Sequence, residues 1–368
     1  MFKQYKLKNY KFILVLFVVA LTTIGVFLVG SAKASLMNKQ MIGMFVGIIL
    51  MITVSLIDYN FILKFAWLIY LFTIGILTIV IAFGDDAGGA QRWIDLKFMR
   101  FQPSELAKIL LILFFAYYFM KHEEKINSFK TMFSSFVLIG LPLLLILKQP
   151  DLSTTIVTAL IFVALLFVAG LSYKIVISVL AVCVPTIIVL FTLLIQDKLP
   201  FIRSYQVTRV MAWLYPEDYP DIAYQQQNSI MAIGSGQLWG KGLNNTDVTS
   251  VKNGKFILEP QTDFIFAVAG EELGFIGTAT IILLLLLITI ECILIARKAK
   301  DTAGKLICCG VAALIGFQSM INIGVASGLL PNTGLPLPFV SYGLTSLWSL
   351  YIGIGLVLNV GLQPKKYY

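Results

Sequence analysis

Residues 12–29 read FILVLFVVALTTIGVFLV, eighteen consecutive positions without a charge, and Lys3, Lys6, Lys8 and Lys11 stand immediately before them. A run of that length matches the hydrocarbon thickness of a bilayer. Its basic flank and the lack of a convincing small-residue cleavage site mark a retained membrane span rather than a secretory signal. The rest of the chain repeats the pattern. Of 368 residues, 58% are hydrophobic and 13% charged, about half the charge of an ordinary soluble domain. Length here counts spans.

Apolar runs occur near 12–30, 38–57, 61–83, 104–120, 131–147, 153–170, 173–195, 264–296, 303–329 and 341–361. The expected fold is therefore an all-α polytopic membrane protein of about ten transmembrane helices, a single integral membrane domain over 1–368. The eighth run is too long for a bilayer and is expected to start above it or to tilt. An even number of spans puts both termini on one side. Lys3 to Lys11, Lys64, the Lys121–Lys130 loop, Lys174, Arg297, Lys298, Lys300, Lys305, Lys365 and Lys366 then share that side. The positive-inside rule makes it the cytoplasm, against Lys33, Lys39, Arg92, Lys97 and Arg100 opposite. The outer face then holds Gly84–Pro103, the Lys148–Asp151 turn, Leu330–Pro338 and a large extracytoplasmic loop of about 196–263 between helices seven and eight. Long loops of that kind are uncommon without a function.

The net charge of +9 resides at the ends of apolar runs, so it reflects topology and not a nucleic-acid partner. Cys183, Cys292, Cys308 and Cys309 lie in or beside apolar runs, at spacings that fit neither zinc nor a disulfide framework. The one histidine, His122, sits beside Glu123 and Glu124 in a polar loop, which argues against a Ser-His-Asp triad.

Candidate chemistry gathers at the outer ends of the spans. In Glu259-Pro260-Gln261-Thr262-Asp263-Phe264-Ile265-Phe266, Asp263 is delivered to the border between the long loop and a greasy helix. It is either a plain helix N-terminal carboxylate or a base, for which the apolar Phe264-Ile265-Phe266 flank would supply desolvation. Glu105 and Lys108, three apart, share one helix face. They form either a packing ion pair or part of a substrate site. Asp151, opening the sixth run after Gln149-Pro150, suits an N-cap. Arg203, Arg209 and the glycine-rich Ala232–Gly242 stretch with Lys241 are candidates to hold a diphosphate, although the spacing is not a P-loop. Glu271 and Glu272 are read as structural. Ser341 lies in Thr333–Gly343, whose prolines and glycines shape a rigid loop.

Together these segments resemble the shape, elongation, division and sporulation (SEDS) family, the RodA/FtsW/SpoVE glycosyltransferases of bacterial walls. The resemblance is carried in order by Gly89-Ala90-Gln91-Arg92-Trp93-Ile94, Gln102-Pro103-Ser104-Glu105, Gln149-Pro150-Asp151, Ala232-Ile233-Gly234-Ser235-Gly236, Thr262-Asp263-Phe264-Ile265-Phe266 with Gly270-Glu271-Glu272-Leu273-Gly274, and Thr333–Gly343. It implies a ten-span fold and a peptidoglycan glycosyltransferase that polymerises lipid II at the outer face of the cytoplasmic membrane. It further implies Asp263 as the essential residue, a class B penicillin-binding protein and other elongation or division machinery as partners beside membrane lipids, and a divalent cation (Mg or Mn) for which no ligand cluster is evident. The chain departs from the family pattern at Gln261, where a histidine is common, and at Leu344, where a second glycine is common.

The expected mechanism has Asp263 as general base on the acceptor hydroxyl. Arg209, Lys241 and either Arg203 or Lys108 would stabilise the departing diphosphate, and Glu105, Asp151 and Ser341 would line the substrate site. Two other readings are a lipid II flippase, which would favour midplane polar residues and repeats, and a non-catalytic scaffold of the wall-synthesis complex.

Overall fold

The structure is a computed structural model describing residues 9–86, 91–95, 100–178, 204–244 and 256–363, with isolated positions between 181 and 254. It is a helical membrane bundle. Helices α1 (Phe12–Ala32), α2 (Ala34–Leu56), α3 (Tyr59–Leu63) and α4 (Ala66–Phe83) come first. A small hairpin sheet follows, β1 (Asp85–Asp86), β2 (Gln91–Asp95) and β3 (Arg100–Phe101). Next are α5 (Pro103–Lys121), α6 (Phe129–Lys148) and α7 (Leu152–Val168). Two helices of the long loop, α8 (Ser204–Leu214) and α9 (Pro220–Ser235), precede α10 (Ile265–Arg297), α11 (Thr302–Ala326) and α12 (Leu344–Leu362).

Eight of these helices are long and apolar enough to cross a membrane, and α7 is a shorter apolar helix. The seventh expected span starts as helix over 173–178 and then passes outside the described residues. The third expected span is divided. Asp58 caps α3 by accepting from the Asn60 N–H at 2.9 Å, and the chain breaks at Lys64–Phe65 before α4. The charged Lys64 halts an otherwise continuous apolar run.

Burial sorts the bundle into a centre and a ring. Helices α5, α11 and α12 bury most of their membrane-spanning surface, whereas α2, α4 and α6 bury less than a third. Leu68, Leu71 and Phe72 on α4 and Phe133, Val137 and Leu144 on α6 are exposed. In water such faces would aggregate; in a bilayer they meet lipid.

Helix α10 shows why the eighth apolar run exceeds a membrane thickness. Gly274 has φ 66 and ψ −162, so residues 265–273 form a separate upper segment above the span. The 236–242 turn fills the notch: Phe275 N–H donates to the Gln237 carbonyl at 2.8 Å, and Gly242 N–H donates to that of Glu272 at 3.0 Å. A Cβ on Gly274 would lie 2.3 Å from Gly240 N. Neither that conformation nor that gap admits a side chain.

The small sheet is a minor addition to the all-α fold. Its register pairs Asp85 with Trp93 and Ile94 with Phe101, turning the 84–103 loop into a cap beside the start of α5.

Gly274→Ala is expected to lower thermal stability in detergent by about 1–3 kcal/mol, the usual cost of a forbidden backbone conformation. Gly316→Ala, whose methyl would meet Thr289 Cγ2 at 3.8 Å, should leave it unchanged. Equal melting of both variants would overturn the interlock.

Candidate active site

Asp263 sits in the turn preceding α10, and its position is set almost entirely through backbone carbonyls. Asn322 of α11 donates from Nδ2 to the carbonyls of Asp263 (2.8 Å) and Leu335 (2.6 Å). The Ser341 hydroxyl donates to the Thr262 carbonyl (2.6 Å) and accepts from Leu337 N–H (2.7 Å). Tyr342 N–H donates to the Gln261 carbonyl (2.9 Å). The Asp263 turn is thereby sewn to the 333–343 loop. Gly334, at φ 71, lies so close that a Cβ there would stand 3.2 Å from Asp263 Oδ2.

The carboxylate opens on a cavity of about 220 Å³. Arg92, Trp93, Gln102, Glu105, Asp151, Glu259, Asp263 and Tyr342 are among its lining residues. Burial pushes the Asp263 carboxyl up to about 6; Arg209 and Arg92 oppose that rise, and Glu259 and Asp151 reinforce it. A carboxylate ionised at neutral pH yet still basic is the property a general base needs.

The other expected residues distribute as follows. Glu105 lines the cavity and accepts from Lys108 Nζ at 2.6 Å. Lys108, 1% exposed, also donates to Gln318 Oε1 at 2.8 Å. Gln318 in turn donates to the Pro336 carbonyl at 2.9 Å. Lys108 is thus a structural tie between α5, α11 and the 333–343 loop. Asp151 lines the cavity as the N-cap of α7, accepting from Thr154 N–H (3.1 Å) and Oγ1 (2.9 Å) and from Gln102 Nε2 (3.3 Å). Arg209 on α8 acts electrostatically on Asp263 while donating to the Asn332 carbonyl at 3.1 Å. Ser341 is committed to the two bonds above and positions the loop. Lys241 does not line this cavity: its ammonium pairs with Glu271 at 2.9 Å, beside the Gly274 notch. Glu272 accepts from the Ser31 hydroxyl at 2.5 Å, so Glu271 and Glu272 both hold the top of the bundle. Arg203 and Cys183 lie outside the described residues. His122 bonds the Tyr118 carbonyl at 2.8 Å, in the loop after the distal end of α5.

Sequence reading assigned no role to Arg92, Trp93, Gln102, Glu259, Gln318 or Asn322. Arg92 donates to the carbonyls of Gln149 (3.0 Å) and Pro150, anchoring the β-cap over the cavity. The alternation in Gln91-Arg92-Trp93-Ile94-Asp95 was the available signal. The departures from the family pattern are accommodated. Gln261 is buried and contributes its carbonyl, and Leu344 packs its Cδ2 against Gly43.

The carboxylates do not form a ready metal cage. Glu105 is held by Lys108 and Asp151 by its cap bonds, and no group of three potential ligands is found among the described residues. No step is therefore assigned to a metal.

The sequence profile of the family described as "Cell cycle protein" (FtsW/RodA/SpoVE) matches residues 6–366. The chain belongs to this family. It is 35% identical to the probable peptidoglycan glycosyltransferase FtsW of Geobacter sulfurreducens, over 98% of this chain and 97% of that protein. It is also 35% identical to the peptidoglycan glycosyltransferase MrdB of Escherichia coli K12, over 96% and 93%. Among solved structures, a chain of a peptidoglycan synthase complex that coordinates polymerization and crosslinking superposes with TM-score 0.77 at 28% identity, covering 96% of this chain and 97% of that one. The rod shape determining protein RodA of Thermus thermophilus superposes with TM-score 0.69 at 26% identity, covering 96% of each. Membership in the FtsW/RodA/SpoVE family agrees with the long apolar helices: this is a multi-pass protein of the cytoplasmic membrane.

Lys108→Met is expected to destabilise the bundle by about 3–5 kcal/mol, because it strands the buried Glu105 charge. Adding Glu105→Gln should recover much of that loss. A double variant no more stable than the single would refute the pairing as the source.

Proposed function

We propose that the chain is a peptidoglycan glycosyltransferase, polymerising lipid II on the outer face of the membrane, with Asp263 as general base. The observation that carries this reading is the half-buried Asp263 carboxylate, raised to about 6 and opening on a polar cavity at one end of the bundle. The relatives named above supply the reaction class.

Ionised Asp263 takes the proton from the 4-hydroxyl of the acceptor sugar. The oxygen forms a bond to the anomeric carbon of the growing strand, whose bond to the lipid diphosphate breaks with inversion. Arg92 and Arg209, the two cations that act electrostatically on Asp263, are placed to offset the negative charge growing on the leaving group. Lys241 is spent on Glu271 and is not assigned this role. Confinement of both lipid substrates to one membrane plane supplies much of their orientation. With this face outward, the lysine-rich ends of the helices lie in the cytoplasm, as does each terminus. A class B penicillin-binding protein is the expected partner in the membrane.

Asp263→Asn is expected to remove polymer product from labelled lipid II by at least a hundredfold, the scale of a lost general base. Wild-type turnover should fall as pH drops through about 6, as the base becomes protonated. A glycan ladder from the Asn variant, or a rate independent of pH between 5 and 7, would reject the assignment. Lipid II translocation by a variant that makes no ladder would favour flipping.

The same shift has a thermodynamic sign. Folded Asp263 has the higher pKa, so its ionisation weakens the fold progressively above about pH 4, fully above about pH 6. Asp263→Asn should therefore raise thermal stability at pH 7.5 by at most about 3 kcal/mol, and little at pH 4. A variant less stable at both pH values would contradict a desolvated carboxylate.

A further inference from the structure

At the end of the bundle away from Asp263, the termini of three helices enclose a second cavity of about 130 Å³, far more than the ~10–15 Å³ that one water needs. It is lined by Asn9 and Lys11 before α1, Ile295 and Lys298 at the end of α10, and Gly361 at the end of α12. Helix α10 runs 33 residues from the Asp263 turn to this point. Its straight part below the Gly274 break, residues 275–297, alone covers on the order of 35 Å at roughly 1.5 Å per residue. This cavity is therefore no part of the reaction site.

Its chemistry is divided. Ile295, 2% exposed, lines it on the apolar side, and Lys11 and Lys298 are its basic lining. The Lys11 stem lies over Gly361: a Cβ there would meet Lys11 Cγ at 3.6 Å. That leaves its head free to reach the rim, as long basic side chains do at a membrane surface. Neither Lys11 nor Lys298 makes an ion pair among the described residues. The adjacent carboxylates are already engaged. Asp301 accepts from Tyr59 Oη (2.7 Å) and Gly304 N–H (2.7 Å), and Asp58 from Asn60 N–H (2.9 Å) and Gln363 Nε2 (3.2 Å). Lys300 is held over the Tyr59 ring at 5.2 Å. Among the described residues, neither Lys11 nor Lys298 has a carboxylate counter-ion.

Beneath the rim the flanking helices present apolar side chains outward: Phe12 and Leu16 on α1, Ile293 and Leu294 on α10. A dianionic solute has no use for such a surface; acyl chains do. We infer that this cavity is a binding site for the phosphate headgroup of an anionic phospholipid, with its chains lying against α1 and α10. Lys11 and Lys298 supply the charge, Asn9 a hydrogen bond, and Gly361 the room. The bound lipid would tie the entry of α1 to the exits of α10 and α12.

The test is native mass spectrometry of the purified full chain titrated with phosphatidylglycerol or phosphatidylcholine, paired with thermal shift in each lipid. Phosphatidylglycerol should bind in preference. Lys11→Gln and Lys298→Gln should each weaken it about fivefold, the effect of one basic residue near an anionic surface. Gly361→Ala, whose methyl would meet Ile295 Cγ2 at 3.5 Å and Lys11 Cγ at 3.6 Å, ordinary contact distances, should narrow the cavity and weaken lipid binding while the chain stays folded. Undiminished phosphatidylglycerol binding by both lysine variants, or equal retention of phosphatidylcholine, would overturn the site. Stabilisation by inorganic phosphate alone, as large as that by the lipid, would overturn its assignment to a lipid. None of these readouts depends on the glycosyl-transfer reaction.

Discussion

A lysine with 1% of its surface exposed cannot keep an unpaired charge in an apolar bundle. Lys108 must find a carboxylate and a further acceptor, and much of the architecture follows from where they are. Glu105, one turn earlier on α5, supplies the charge; Gln318 on α11 supplies the second oxygen and passes the connection to the Pro336 carbonyl. That chain fixes the depth at which α5 and α11 meet and the height of the 333–343 loop above them. Asn322, four residues after Gln318 and so one turn along the same face, then clamps Asp263 and Leu335 together. The Asp263 carboxylate thereby inherits its position from a buried ion pair on another helix.

The second organising element is the upper end of α10. Gly274 separates a membrane span from a short raised segment, and the glycine-rich 236–242 turn docks in the gap. Lys241 and Glu271 seal this junction. Helices α8 and α9 are bound to the end of α11 by further side-chain-to-carbonyl bonds, Trp213 Nε1 to Gly328 (2.8 Å) and Gln226 Nε2 to Val325 (2.8 Å) and Leu330 (2.7 Å). The described part of the long loop is thus seated on the bundle.

The helical architecture was legible because hydrocarbon thickness imposes a length on apolar runs that no other environment demands. The exceptions have local causes: a lysine at position 64, a left-handed glycine at 274, and three short strands in the outer loop 84–103. Asp263, Glu105 and Asp151 were legible as candidates because charges are scarce and each stood at the end of an apolar run; the cavity gathers all three. The Glu271 partner of Lys241 was not legible. A basic residue among glycines suggests an anion site, and nothing in its neighbourhood reveals that a glutamate thirty positions later will meet it. Gln318 and Asn322 were invisible because a single amide within an apolar helix carries no pattern; their importance comes from carbonyls supplied by a distant loop.

That clamps of this kind grip main-chain oxygens rather than side chains has an evolutionary corollary. Every residue offers the same carbonyl, so the segment around Asp263 can exchange its neighbours without surrendering the coordinates of the carboxylate. Position 261 shows the latitude: Gln261 takes part through its main-chain oxygen, which accepts from the Tyr342 N–H at 2.9 Å, a bond any residue there could make. Mutational drift in this turn is buffered by the backbone, whereas Gly334, at φ 71 and with a Cβ that would stand 3.2 Å from Asp263 Oδ2, has no such freedom. Lineages should therefore diversify at position 261 while position 334 stays frozen.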